Sequence, residues 1–141
     1  MMKIEKLMVK NVITLPGHAS AYDAVKLLKK NRIGCLVVVH KGHIVGILTE
    51  RDLLQRVLGK CRNPKETRVS EIMTKQVVVG KPDMEFIDAT RLMFENSIKK
   101  LPITDGNRLV GIFTLTDIAR LTSVDKKTIE LIEKLDNMKV L

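Results

Sequence analysis

The sequence predicts an α/β protein made of two pseudo-symmetric β-α-β-β-α repeats packed through their sheets into one module. Three observations carry that expectation. Sliding the chain by 65 residues gives a gapless match from about residue 3 to 55. Each copy alternates short β-rich runs with an amphipathic helical stretch. Each copy is only about 50 residues long, too small to bury a comfortable core alone, so the two copies are expected to share one.

At constant offset, Met8 falls on Met73, Asp23-Ala24 on Asp88-Ala89, and Leu27 on Leu92. Ile33 falls on Ile98, Val45-Gly46-Ile47 on Val110-Gly111-Ile112, Thr49 on Thr114 and Asp52 on Asp117. The chain is a tandem duplication. Its expected organisation is repeat 1 over 3–58, a linker over 59–67, repeat 2 over 68–123 and a C-terminal helix over 124–141.

The elements follow in order. Val12-Ile13-Thr14-Leu15 is a short β-rich run, mirrored by Val77-Val78-Val79. Pro16-Gly17 and Lys81-Pro82-Asp83 break these runs. Ser20 with Asp23 forms a capping-box pattern, opening a helix with Ala21, Ala24, Val25 and Leu28 on one face. The second copy sets Ala89, Leu92 and Met93 similarly, with Asp83 as its expected cap. Two apolar strands then flank His40-Lys41-Gly42-His43, a hairpin loop whose glycine supplies a positive φ; Asp105-Gly106-Asn107-Arg108 takes the same place in repeat 2. A second helix begins near Asp52 or Asp117. Residues 59–67 are rich in Lys, Arg, Asn and Pro, and Ile129, Ile132 and Leu135 recur at helical spacing near the end.

Composition narrows the function. With 45% apolar and 29% charged residues the chain is globular, and with 3% aromatics and no Trp it lacks a stacking platform for single-stranded nucleic acid. Two cysteines make no disulfide framework, and no signal-like or membrane-spanning run occurs, so a cytoplasmic protein with no membrane partner is expected. The net charge of +9 is lopsided: residues 1–70 hold 14 Lys and Arg against 5 Asp and Glu, while 71–141 hold 11 of each. Such asymmetry points to an anionic partner, or simply to a solvated basic face.

The most informative segments are Gly46-Ile47-Leu48-Thr49-Glu50-Arg51-Asp52 and Gly111-Ile112-Phe113-Thr114-Leu115-Thr116-Asp117. Each ends a strand and opens a helix with T-x-x-D. A helix cap explains the Thr and Asp without any ligand. It leaves the glycine three residues earlier unexplained. The same turn also suits a nucleotide: helix N–H groups and a Thr hydroxyl for phosphate, and an Asp carboxylate for ribose hydroxyls.

The order of elements, the repeat length and both G-h-x-T-x-x-D segments resemble a pair of CBS domains, the cystathionine β-synthase type regulatory module. Leu7-Met8 and Ile72-Met73 heading the repeats, and Leu101-Pro102-Ile103-Thr104-Asp105 before the second hairpin, extend the resemblance over about residues 3–123. It implies a stand-alone Bateman module, commonly a homodimer, sensing adenosine derivatives (AMP, ADP, ATP or S-adenosylmethionine) in two clefts between the repeats. One implied cleft takes Thr49, Arg51 and Asp52 with Val77, Val78, Lys99, Lys100 and Pro102. The other takes Thr114, Thr116 and Asp117 with Ile13, Thr14, Ala19, Gly34 and Cys35. The aspartates would hold ribose, Thr49 and Thr114 phosphate, and β-branched residues the adenine. Lys99-Lys100 would favour extra phosphate in the first cleft; Val37 stands where the family commonly has proline.

No catalytic assembly is expected: there is no Walker A loop, G-x-G-x-x-G, H-E-x-x-H or G-x-S-x-G pattern. His40 and His43 lack further ligands for a metal. Cys35 is expected as a small buried thiol, Cys61 as an inert linker thiol, and Met8, Met73, Met84 and Met93 as core filler. Energy sensing for an unidentified protein partner is the leading expectation. The alternatives are a basic nucleic-acid-associated protein and a dimeric scaffold without ligand.

Overall fold

The computed structural model describes residues 2–114 and, beyond them, Thr116, Lys127, Leu131 and Lys134. The expected cap Asp117 and the helical stripe Ile129, Ile132 and Leu135 lie outside the described residues. Within them the chain is α/β. It divides into two compact units, one of Ile13–Val77 and the other joining Met1–Val12 to described residues from Val78 onward.

In the first unit, β1 (Thr14–Pro16) runs parallel to β2 (Cys35–His40), which turns through a hairpin into antiparallel β3 (His43–Thr49). Gly42 takes φ +81° with open space around it, the left-handed conformation the loop required. Helix α1 (Ala21–Asn31) opens with a complete capping box: the Asp23 N–H donates to Ser20 Oγ at 3.0 Å, and the Ser20 N–H returns to Asp23 Oδ2 at 3.3 Å. Its Ala21, Ala24 and Leu28 join Leu15, Leu36, Val38, Leu48, Val69 and Ile72 in the core, whereas Val25 stays exposed. After β3, α2 (Glu50–Asp52) continues as a π-helical turn over Leu53–Val57 and a tighter turn over Leu58–Lys60. The short α3 (Val69–Ile72) closes the unit.

The second unit repeats the plan with α4 (Phe86–Glu95), β4 (Lys100–Asp105) and antiparallel β5 (Arg108–Thr114). Its core gathers Ile4, Ala89, Met93, Leu101, Ile103 and Phe113. The duplication extends to backbone irregularities. Arg32 and Ser97, 65 apart and neither a glycine, both take left-handed φ near +52° and +54° after their helices. Both hairpins slip register at the same offset, between Val38 and Val39 and between Ile103 and Thr104.

Two local expectations are corrected. The N-cap of α4 is Glu85, without a side-chain hydrogen bond, and not Asp83. Glu85 is the offset mate of Ser20, so the capping box of α1 has no counterpart at α4. Val77-Val78-Val79 forms no strand either. Pairing contracts to a single parallel bridge at Gly80, whose N–H donates to Pro102 O (2.9 Å) and whose carbonyl accepts from Thr104 N–H (3.0 Å).

The heads of the repeats are exchanged. Residues heading repeat 2 pair into the first unit, with bridges Ser20–Arg68 and Ile47–Thr74. Residues heading repeat 1 pair into the second, with bridges Lys3–Glu85 and Val9–Ile112. The compact units are therefore offset from the sequence repeats. The 59–67 segment is tied down as well: Ala21 N–H donates to Thr67 O (2.8 Å), Tyr22 N–H to Pro64 O (3.0 Å), and buried Thr67 donates its hydroxyl to Asn63 O (2.7 Å).

Candidate functional site

The end of β3 carries the most densely bonded polar cluster of the first unit. Thr49 caps α2: its Oγ1 accepts from the Asp52 N–H at 3.2 Å, while the Thr49 N–H donates to Asp52 Oδ2 at 3.0 Å. The Thr49 hydroxyl also donates to Asp52 Oδ2, at 3.1 Å. Asp52 is only 7% exposed, and a buried polar group is costly unless such donors satisfy it. The helix-capping explanation of T-x-x-D is thus realised in full.

Two further residues complete the cluster, and both come from outside the motif. The Thr74 hydroxyl reaches Asp52 Oδ1 at 3.3 Å and Oδ2 at 3.5 Å. Arg56, on the π-helical turn, places Nε 3.7 Å from Asp52 Oδ1 and donates from Nη1 to the carbonyls of Ile72 and Met73, each at 3.2 Å. Motif reading missed both. Their signal was a break in the repeat, since the offset mates of Thr74 and Arg56 are Val9 and Leu121.

The glycine before each T-x-x-D has a structural reason. A Cβ on Gly46 would meet Met73 Sδ at 2.5 Å and the Thr74 carbonyl oxygen at 3.0 Å. One on Gly111 would meet Met8 Sδ at 2.5 Å and the Val9 carbonyl oxygen at 3.1 Å. Each glycine clears the path for an exchanged head to lie on the strand: Ile47 and Thr74 trade N–H···O bonds of 2.9 Å, as do Val9 and Ile112.

The remaining expected site residues fall as follows. In the first unit, Cys35 stands opposite Thr49 in the ladder, and the Gly34 carbonyl accepts the Glu50 N–H at 3.1 Å. Thr14 begins β1, so Thr14, Gly34-Cys35 and Thr49 share one end of that sheet. Ile13 and Ala19 pack half-buried against the core, Val77 is half-buried and Arg51 is exposed. In the second unit, Lys100 stands opposite Thr114 as Cys35 does opposite Thr49. Lys99 is half-buried beside it, Pro102 is buried in β4, Val78 packs against the core, and Thr116 is helical and exposed.

Elsewhere, His40 and His43 face each other across the first hairpin, and no group of three metal-ligating side chains occurs among the described residues. Cys35 is buried and Cys61 exposed. No helix among the described residues is long and apolar enough to cross a membrane.

The α1 and α2 side of the first unit carries an apolar groove of about 690 Å³. Val25, Leu28, Leu53, Leu54, Val57 and Leu58 line it, with Lys29, Arg32 and Arg62 at its edges. Leu54 is 60% and Leu58 71% exposed.

A duplicated chain whose copies exchange heads and carry the same G-h-x-T-x-x-D segment is a tandem repeat of one small α/β unit. The chain belongs to the CBS domain family, whose model matches residues 4–59 and 69–123. It is 37% identical over 119 residues to the CBS domain-containing protein YhcV of Bacillus subtilis, spanning 84% of each chain. It is also 37% identical over 120 residues to inosine-5'-monophosphate dehydrogenase of Methanocaldococcus jannaschii, but matches only 23% of that enzyme's length. Among solved structures, the CBS domain protein TA0289 of Thermoplasma acidophilum superposes with TM-score 0.83 at 30% identity, covering 99% of this chain and 78% of that one. A hexameric CBS-CP12 protein from bloom-forming cyanobacteria matches with TM-score 0.74 at 32% identity, covering 87% and 72%. Paired CBS chains of this kind are regulatory modules.

Proposed function

We propose that this CBS pair senses an adenosine derivative through its T-x-x-D turns, without catalysis, and passes the signal on as a homodimer. The observation that carries the reading is the state of Asp52: a buried carboxylate at a strand end, with one oxygen held by the cap and the other only by long contacts. A ribose hydroxyl is the kind of donor that such an oxygen accepts. Thr49 has its hydroxyl engaged with Asp52, so phosphate recognition at this turn falls to the neighbouring backbone N–H groups and to the exposed Arg51. AMP, ADP and ATP fit these groups best, with S-adenosylmethionine as the phosphate-free comparison.

Self-association through the groove of the first unit is supported by its exposed leucines and by the hexameric CBS-CP12 relative. A second reading, nucleic-acid binding, draws on the basic excess of Ile13–Val77, 12 Lys and Arg against 5 Asp and Glu. It also draws on the Tyr22 ring, flanked by Lys26 at 5.0 Å and Lys65 at 5.1 Å.

Calorimetric titration with AMP, ADP, ATP, S-adenosylmethionine and a generic RNA and DNA, each at two salt concentrations, tests both. Saturable binding of an adenosine derivative supports the proposal. Binding only to nucleic acid, weakening steeply with salt, favours the second reading. No binding at all leaves a dimeric scaffold.

A further inference from the structure

We infer that Thr74 sets the affinity of the Asp52 turn by competing with the incoming ligand for Asp52 Oδ1. The inference rests on the reading that Asp52 accepts a ribose hydroxyl, and adds a specificity-determining residue to it.

The two carboxylate oxygens are not equivalent. Oδ2 takes the Thr49 N–H at 3.0 Å and the Thr49 hydroxyl at 3.1 Å, both inside the capping box. Freeing it means undoing the turn. Oδ1 has only the Thr74 hydroxyl at 3.3 Å and Arg56 Nε at 3.7 Å. A carboxylate oxygen accepts about two hydrogen bonds, so Oδ1 is the one with capacity to spare.

The two donors around Oδ1 differ in what holds them. Arg56 is anchored independently by Nη1 on the Ile72 and Met73 carbonyls, so it stays in place whatever Oδ1 accepts. The Thr74 backbone is pinned to Ile47, but its hydroxyl has one proton and a rotatable bond. A ligand hydroxyl arriving at Oδ1 displaces that proton. Arg56 therefore positions the carboxylate, and Thr74 is the residue that yields.

The offset position of Thr74 carries no hydroxyl. Val9 occupies the offset position of Thr74 and makes the matching backbone pair with Ile112, with no hydroxyl to offer. The handicap to a ligand that Thr74 imposes therefore belongs to the Asp52 turn and has no hydroxyl counterpart at the offset position. Because Val already stands at the mate position, Thr74→Val keeps the local backbone pairing.

AMP titrated by calorimetry into the full chain tests this, using wild type, Thr74→Val, Thr74→Ser, Asp52→Ala and the Asp52→Ala/Thr74→Val double variant. Thr74→Val should tighten one of the two sites by about two- to tenfold, as loss of one long competing hydroxyl–carboxylate hydrogen bond implies. Thr74→Ser should bind as wild type, and the gain should vanish when Asp52 is Ala. Unchanged or weaker binding by Thr74→Val, or tightening that survives Asp52→Ala, overturns the inference while leaving the ribose reading standing. Wild-type stoichiometry in Asp52→Ala overturns the ribose reading itself, and no AMP binding by wild type overturns both.

Discussion

Met73 lies over Gly46 so closely that a single Cβ there would come within 2.5 Å of its sulfur. The contact joins the head of one repeat to the last strand of the other, and the equivalent Met8–Gly111 contact does the same in the second unit. Gly46→Ala should cost about 1–3 kcal/mol through overpacking, and Gly111→Ala a similar amount. Urea denaturation of the two variants checks this; wild-type midpoints would show that the methionines move aside freely.

Asp52 unites cap and candidate ligand site, so its removal should register in two assays. Asp52→Ala should lower stability by about 1–3 kcal/mol, because Thr49 N–H loses its acceptor and Arg56 and Thr74 lose theirs. It should also reduce nucleotide stoichiometry from two to one. A stability loss with unchanged stoichiometry would leave Asp52 as a cap only.

Acid should weaken the start of α1 in a defined way. The Asp23 carboxyl is held below the ordinary aspartate value, first by the backbone N–H of Ser20, then by the Ser20 side chain, with Lys26 adding to it. A lowered folded-state pKa means that the cap's contribution is present above the unfolded value, near 4, and is lost as pH falls through the folded one. Thermal melts between about pH 2 and 6 should therefore show an acid-limb loss that Asp23→Asn reduces.

Charge selectivity should depend on the lysines that open β4. Lys99 and Lys100 have Gly34 and Cys35 as offset mates, so only one copy supplies cations at this place. ATP should bind more tightly than AMP to wild type, and the Lys99→Ala/Lys100→Ala variant should lose that advantage, a charge-assisted contact contributing about 1.5–3 kcal/mol. An unchanged ATP-to-AMP ratio removes both lysines from the site.

The groove of the first unit gives an assembly test. With Leu54 and Leu58 this exposed, the 15.9 kDa chain should scatter light as a dimer or larger at micromolar concentration. Leu54→Glu/Leu58→Glu should reduce it to a monomer with its melting temperature little changed. A monomeric wild type would show that the groove stays uncovered.

Much of this was legible in the sequence because duplication doubles every local signal. The 65-residue offset located both hairpins and drew attention to the Thr49–Asp52 turn, while residue types alone located the Ser20–Asp23 box. Positions read from one copy alone misled: Asp83 looked like a cap by type, but the offset mate of Ser20 is Glu85. The exchange of heads was not legible, since nothing local in Lys3 or Arg68 says which helix start it will meet. For the same reason the glycines stay unexplained by the local pattern, because their demand comes from Met73 and Met8. Thr74 and Arg56 enter the site through tertiary contacts, and only their mismatch with Val9 and Leu121 marked them.

The exchange of heads also governs how such a chain can change over evolutionary time. A lone copy would carry a head with no strand of its own to lie on, and a last strand with its glycine uncovered. It could complete itself only by trading heads with another molecule. Loss of one copy would thus strip the other of its cover, and the smallest self-contained unit is the couple.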